Sequence, residues 1–289
     1  MSQNGTFQVA AIQMVSSTSV QANLDAAARL IDQAGAQGAQ LVLLPEYFCF
    51  LGRRDPEKLA LMEAPGSGPI QQFLADTARR HGIWLLGGTL PLQSEDANRI
   101  YNALLVFDPA GNQVARYDKI HLFGFRKGQE SYDESISIRP GSNGPQVVDT
   151  PLGKVGLSVC YDLRFPELYR AMNDVSLIVV PSAFTYTTGS AHWEILLRAR
   201  AIENQCYVLA AAQGGKHENG RRTWGHSMLI DPWGDVVACL PEGEGAVTAA
   251  LDLGRIESVR QSLPALAHRV IPVGGATAAH LPVTTAHVE

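Results

Sequence analysis

Three side chains in this sequence sit where hydrolytic chemistry needs them. Cys160 ends the apolar stretch KVGLSVC and is followed by YDLRFPEL, whose Pro166 can open a helix at its first turn. A cysteine at such a strand-to-helix apex is exposed beyond the sheet, with backbone N–H groups aimed at whatever its sulfur attacks. Glu46 closes a second apolar stretch, LVLLPE. A carboxylate that follows apolar residues and Pro45 and precedes Tyr47 and Phe48 is partly desolvated, which raises its pKa and suits a general base. Lys119 lies in RYDKIHL, where alternation puts Tyr117, Lys119 and His121 on one strand face. Buried beside a thiol and a carboxylate, its ammonium would stabilise an oxyanion and lower the thiol pKa. Each segment alone also has a purely structural reading: a small buried cysteine, a solvated loop glutamate, a solvated strand lysine.

The surrounding pattern supplies elements to hold such a site. Short β-branched runs alternate with helical periodicity: FQVAAIQM, a helix from Val20 to Gly35, AQLVLLPE, a helix from Pro69 to Arg80, then IWLLGGTLPL. IYNALLVFD and QVARYDKIHL read as a hairpin turning at Pro109 to Asn112. VGLSVCYD, a short helix around Pro166 to Met172, SLIVVPSAF, a helix from Ala191 to Asn204, YVLAAAQGG and the pair HSMLIDP and DVVACLP complete the series. Glu46 and Cys160 both fall at the carboxyl ends of strands, where open α/β sheets bind ligands. So many strands, with helices between early and late ones alike, predict two stacked sheets with helices outside, a four-layer α-β-β-α sandwich. Residues 1–271 are expected to form one domain, and 272–289, rich in Gly, Ala and Thr, a frayed or partner-clasping tail.

Composition narrows the function classes. A chain of 289 residues with 46% hydrophobic and 18% charged residues is that of an ordinary globular protein. A net charge of -5, from 23 basic and 28 acidic residues without long runs, argues against nucleic acid or an anionic membrane as the main partner. The N-terminus has no basic region ahead of an apolar core, and no 18-residue apolar run occurs, so a cytoplasmic protein is expected. Cys49, Cys160, Cys206 and Cys239 form neither a C-x-x-C pair nor a zinc spacing with His.

LLPEYF, RYDKIHLF and GLSVCYDLRFPE, in that order, resemble the Glu-Lys-Cys signature of the nitrilase superfamily of carbon-nitrogen hydrolases, and the resemblance runs from Phe7 to about Arg269. It implies the nitrilase type of α-β-β-α fold, a homodimer or higher homo-oligomer, and no metal or organic cofactor. It implies Cys160 as nucleophile, Glu46 as general base, Lys119 as oxyanion stabiliser and the Tyr161 N–H as second oxyanion donor. Glu134, in DESISIRPG, matches the superfamily's second glutamate, which positions the lysine and the attacking water. Arg164 and Thr188 become candidates to hold a carboxylate or oxo group on the substrate. Arg164 can equally pair with Glu167, and His192, Trp193 and Glu194 read as packing and capping residues at a helix start. The implied reaction turns a small carboxamide into an acid and ammonia.

PSAFTYTTGSAHWEILLRARAIENQCYVLAAAQGGKH and WGHSMLIDPWG look most like the branch containing deaminated-glutathione amidases. The neighbouring ω-amidases, acting on 2-oxoglutaramate and succinamate, share TTG-x-x-HWE-x-L and the DPWG turn. A true nitrilase, a papain-like Cys-His hydrolase and a non-catalytic scaffold are the other readings. Two departures stand out: RAMNDVSLIVV lacks the usual Gly-Ala pair, which is expected to change only a turn, and LFGFRKGQESYDES differs from the superfamily loop that borders the pocket, which bears on substrate choice.

Overall fold

The computed structural model describes residues 5–271 apart from Gln129; the expected tail at 272–289 lies outside the described residues. The first half of the chain holds β1 (Thr6–Gln13), α1 (Val20–Ala36), β2 (Leu41–Leu43), α2 (Pro69–His81), β3 (Trp84–Leu86), β4 (Leu90–Gln93), β5 (Ile100–Phe107) and β6 (Gln113–Asp118). A small hairpin, β7 (Gly124–Lys127) and β8 (Glu130–Asp133), follows. The second half holds β9 (Gln146–Thr150), β10 (Gly153–Leu157), α3 (Pro166–Met172), β11 (Leu177–Ser182), α4 (Tyr186–Asn204) and β12 (Tyr207–Ala212). It ends with β13 (Gly214–Lys216), β14 (Arg222–Trp224), β15 (Ser227–Ile230), β16 (Val236–Leu240), β17 (Gly245–Asp252) and α5 (Leu253–Ser262).

Two sheets result. One runs β17-β1-β2-β3-β5-β4, with β6 also paired to β5; the other runs β16-β15-β12-β11-β10-β9. Strand alternation divides the first sheet between two cores. Val9, Ala11, Leu41, Leu43, Leu104 and Val106 face the second sheet and pack with its Val155, Leu157, Leu177 and Val179. Ala10, Ile12, Val42, Leu44 and Leu105 face the other way and meet Leu24, Leu30 and Ile31 of α1 and Leu74 of α2. Each of those helix side chains contributes about 1.5–3 kcal/mol through burial. On the far side of the second sheet, Trp193, Leu197 and Ala201 of α4 pack in the same continuous buried cluster. This is the expected α-β-β-α sandwich.

Capping sets several helix ends. The Ser19 hydroxyl accepts from Ala22 N at α1, and Gly82, at φ 62°, closes α2 in the left-handed conformation that glycine adopts at little cost. The fourth helix begins at Tyr186 rather than Ala191, because the Thr185 hydroxyl accepts from Thr188 N and caps it there. His192, Trp193 and Glu194 therefore lie a turn and a half inside it. Trp193 is buried and donates to His226 O, while Glu194 pairs with Arg198 at 3.3 Å.

The strands that carry the chemistry share a direction. The β1-β2 and β2-β3 pairs are parallel, as are β10-β11 and β11-β12. Because β5 is antiparallel to both β3 and β6, the last of these runs with β3. The sheets are stitched near their carboxyl ends, where Gly214 N donates to Met14 O at 2.9 Å and Gln213 Nε2 donates to Glu46 O at 3.0 Å. Gly88 closes the same region. It has φ 56°, and a Cβ there would come within 2.1 Å of Pro45 O, immediately before Glu46. Gly88→Ala is expected to cost at least about 1–2 kcal/mol from the left-handed backbone alone and to displace Glu46. A thermal melt indistinguishable from wild type would show that the LLPE turn tolerates the side chain.

Candidate active site

Cys160 follows β10 at the start of a one-turn 3₁₀ helix, Cys160–Arg164, with φ 49°. A non-glycine residue in that region costs energy and persists only where its surroundings over-determine it. Here they do, through the buried carboxylate of Asp162. It accepts from Val159 N at 2.9 Å, from the Tyr117 hydroxyl at 2.7 Å and from His121 N at 3.1 Å, and lies 2.7 Å from His121 Nδ1. The same segment that carries Lys119 thus grips the elbow that carries Cys160, using the residues on either side of the lysine.

Lys119 is wholly buried, just past the end of β6. Its Nζ donates to Glu46 Oε1 at 2.9 Å and to Glu134 at 2.8 Å and 3.0 Å. Glu46, 1% exposed, also accepts from Asn102 Nδ2 at 2.9 Å and from Ala183 N at 2.9 Å. Glu134 further accepts from the Tyr47 hydroxyl and from Phe123 N, both at 2.7 Å. Every oxygen of the two carboxylates therefore has a donor, as buried charges require.

The charges lean on one another. Burial works against the Lys119 ammonium, but the carboxylates of Glu134 and Glu46 outweigh it and hold the lysine well above its ordinary 10.5. Burial pushes Glu134 up, and the ammonium groups of Lys119 and Lys58 overcome this to hold it below its ordinary 4.5. The thiol behaves contrary to the expectation that a lysine neighbour would lower it. Burial first, then the charge of Glu46, raise Cys160 well above its ordinary 9.0, and Lys119 opposes them without prevailing. One cation cannot offset desolvation together with two carboxylates, so the resting thiol is protonated at neutral pH. Labelling of Cys160 by iodoacetamide is accordingly expected to climb about tenfold per pH unit from about pH 7 to 9 without levelling off. Peptide-resolved labelling rates would show it, and a plateau below about pH 8 would mean a stabilised thiolate instead.

These groups floor a pocket enclosing about 670 Å³, open mouth included. Such a volume suits a small-molecule ligand. Glu46, Glu134, Cys160, Tyr161 and Thr188 all line it. The N–H of Tyr161 is the first after Cys160, and its ring meets Phe123 and Phe165 edge-on. Arg164 is not part of the lining. Its Nη1 lies 3.3 Å from His192 Nδ1, its guanidinium packs over Tyr161 and Phe184, and among the described residues it makes no ion pair with Glu167.

Several contributors had little or no sequence signal. Asn102 had one, an amide inside the buried eight-residue strand IYNALLVF. Tyr47, Asp162 and Lys58 reach the site through tertiary contacts. Arg221 and Arg222 line the pocket from the β13-β14 hairpin. Among the described residues, no group of three or more His, Cys, Asp or Glu side chains gathers as metal ligands. Among them too, no helix is long and apolar enough to cross a membrane.

The two-sheet sandwich thus places a strand-end cysteine in one pocket with a buried Glu-Lys-Glu cluster. The carbon-nitrogen hydrolase family model matches residues 8–261, and the chain belongs to that family, within the nitrilase superfamily. It is 43% identical over 267 residues to the deaminated glutathione amidase of Bos taurus, covering 90% of this chain and 81% of that protein. It is also 43% identical to the Synechocystis deaminated glutathione amidase, covering 91% and 98%. The crystal structure of the Caenorhabditis elegans NitFhit protein superposes with a TM-score of 0.83 at 41% identity, over 92% of this chain and 66% of that one. The chain is a carbon-nitrogen hydrolase of the amidase type.

Proposed function

We propose that this amidase works through Glu46, Lys119 and Cys160 on deaminated glutathione. The observation that carries the mechanism is a buried thiol, its pKa raised by burial, in a pocket whose floor also holds Glu46, itself bound to Lys119 at 2.9 Å. Such a thiol needs a base at the moment it attacks. Glu46 takes the Cys160 proton as sulfur bonds to the amide carbon, and the displaced carbonyl electrons collect on oxygen. Lys119 and the Tyr161 N–H hold that oxygen. Collapse breaks the carbon-nitrogen bond, the departing nitrogen takes the proton from Glu46, and a thioester remains. Water attacks it while Glu46 accepts a proton; the carboxylic acid leaves and the sulfur regains its hydrogen. Glu134, held to Lys119 on one side and to Tyr47 and Phe123 on the other, fixes the lysine and helps place the water.

The substrate rests on the relatives' names together with the pocket. In glutathione the scissile bond joins the glutamyl side-chain carbonyl to cysteine, so the departing group is a peptide amine. Ammonia departs only from primary amides such as 2-oxoglutaramate or succinamate. A side-by-side assay of deaminated glutathione, 2-oxoglutaramate, succinamate and glutamine, reading both amine and ammonia, tests the reading. Deaminated glutathione is expected to give the highest kcat/KM by about tenfold or more. Preference for 2-oxoglutaramate would transfer the protein to ω-amidase chemistry, and silence on all four would remove this substrate class. The assembly is proposed to be a homodimer or larger, and its location cytoplasmic.

A further inference from the structure

The pocket has a charged floor and a charged mouth, and only the floor is used by the mechanism. Besides Glu46 and Glu134, the charged side chains lining it are Arg221 and Arg222. Both belong to the hairpin β13-β14, whose connection is firmly tied down. His217 N donates to Arg221 O at 2.8 Å, Arg221 N to Asn219 Oδ1 at 2.9 Å, and Asn219 Nδ2 to Gly52 O at 2.7 Å. Beneath them, buried His217 Nε2 lies 2.7 Å from the Thr223 hydroxyl. The guanidinium of Arg221 sits 5.4 Å from the centre of the Tyr132 ring, and that of Arg222 sits 3.9 Å from the centre of Tyr186. Packing over these rings helps to position the guanidinium groups, and a carboxylate is recognised at guanidinium N–H edges. Arg222 also meets Glu242 at 3.3 Å, a pair with both side chains about half exposed, which an incoming carboxylate can join or displace.

We propose that Arg221 and Arg222 form an anion subsite at the mouth of the pocket, which binds a substrate carboxylate remote from the scissile amide. The proposal rests on the reading of the Cys160 pocket as the active site and names the substrate class it selects: amides that carry a second, anionic end. The floor favours this arrangement. There the Lys119 ammonium is already shared between Glu46 and Glu134, so the floor is a poor place for a further carboxylate. Two arginines at the mouth hold the anionic end outward and leave the neutral amide to reach Cys160. Attraction at the mouth, against a floor whose charges are already paired, gives orientation as well as affinity. Arg164, which the resemblance made a candidate for this task, lies outside the lining.

The test uses glutarate, a dicarboxylate, as a probe that protects Cys160 from iodoacetamide, an uncharged reagent, with labelling read by peptide mass. Glutarate is expected to slow labelling of the wild-type protein. The Arg221→Gln/Arg222→Gln double variant should need about tenfold or more glutarate for the same protection, with Arg221→Lys/Arg222→Lys in between. On deaminated glutathione the double variant should raise KM about tenfold or more while kcat changes little. Should the double variant fold poorly by thermal melt, the single lysine variants carry the comparison. No protection of the wild type by glutarate, equal protection in both proteins, or loss of protection only in Arg164→Gln would each overturn the subsite. Because protection is measured without turnover, arginine-dependent protection in a protein inert toward deaminated glutathione would retain the subsite and remove the substrate reading instead.

Discussion

Replacing Cys160 by Ala should abolish amide hydrolysis, by at least about 10⁴-fold in kcat, and leave the fold standing. The sulfur supplies the only bond to the acyl group in the proposed mechanism, so no partial pathway remains through Glu46 and Lys119. Structurally the change is small. Alanine keeps the Cβ, and the strained backbone at φ 49° is held by the contacts of Asp162 rather than by the thiol. Removing an uncharged sulfur beside Glu46 also relieves no charge and exposes none. The pair of measurements is kcat on deaminated glutathione and the thermal midpoint. Residual turnover above the uncatalysed rate in a preparation free of wild-type enzyme would take the nucleophile away from Cys160.

Lys119→Met is expected to damage both catalysis and stability. Catalysis should fall at least about 10²–10³-fold with the loss of an oxyanion donor. Stability suffers because Glu46 and Glu134 both lose their shared cation in a dry interior, a cost of about 3–5 kcal/mol, or a melting shift on the order of 10 °C. The pH dependence gives the sign. In the wild type, Glu134 is held below its ordinary 4.5, so its contribution to stability is present above that value and fades as pH falls through the lowered one. In the variant the lysine no longer holds it down, and protonating one of the two carboxylates relieves their repulsion. The deficit relative to wild type should therefore be greatest at neutral pH and shrink toward about pH 4. A deficit that is flat over this range, by melts in matched buffers, would mean that the carboxylates find other partners.

The layered fold and the positions of most helices were legible because they depend on periodicity within short windows. Pro69–His81 and Pro166–Met172 were located to within a residue by their first-turn prolines and the apolar spacing after them. The start of the fourth helix was not, since TYTTGS offers β-branched residues and a glycine where a capping threonine acts. Strand β17, which closes the first sheet against β1, went unrecognised because GAVTAALD alternates weakly.

At the site, the strand-end positions of Glu46 and Cys160 could be read from local sequence, whereas the network around them could not. Tyr117, Lys119 and His121 were expected on one strand face, but β6 ends at Asp118, and what gathers Tyr117 and His121 is Asp162, more than forty residues away. The rise in the thiol pKa was missed for the same reason. It depends on how closely charges converge in three dimensions, and a single lysine looks sufficient only while the depth of burial and the approach of both carboxylates to the thiol are unknown. Arg221 and Arg222 gave no signal, because a pair of arginines after a turn is ordinary on a surface.

The most direct test of a thioester route is a pre-steady-state acid quench of the wild-type protein with deaminated glutathione, followed by intact and peptide mass. The proposed mechanism expects a transient adduct on the Cys160 peptide, equal to the acyl half of the substrate with its amine already gone. It should be discharged by hydroxylamine to the matching hydroxamate and be absent in Cys160→Ala. Turnover with a substrate-derived mass on another residue, or with neither adduct nor hydroxamate on any time scale sampled, would contradict it.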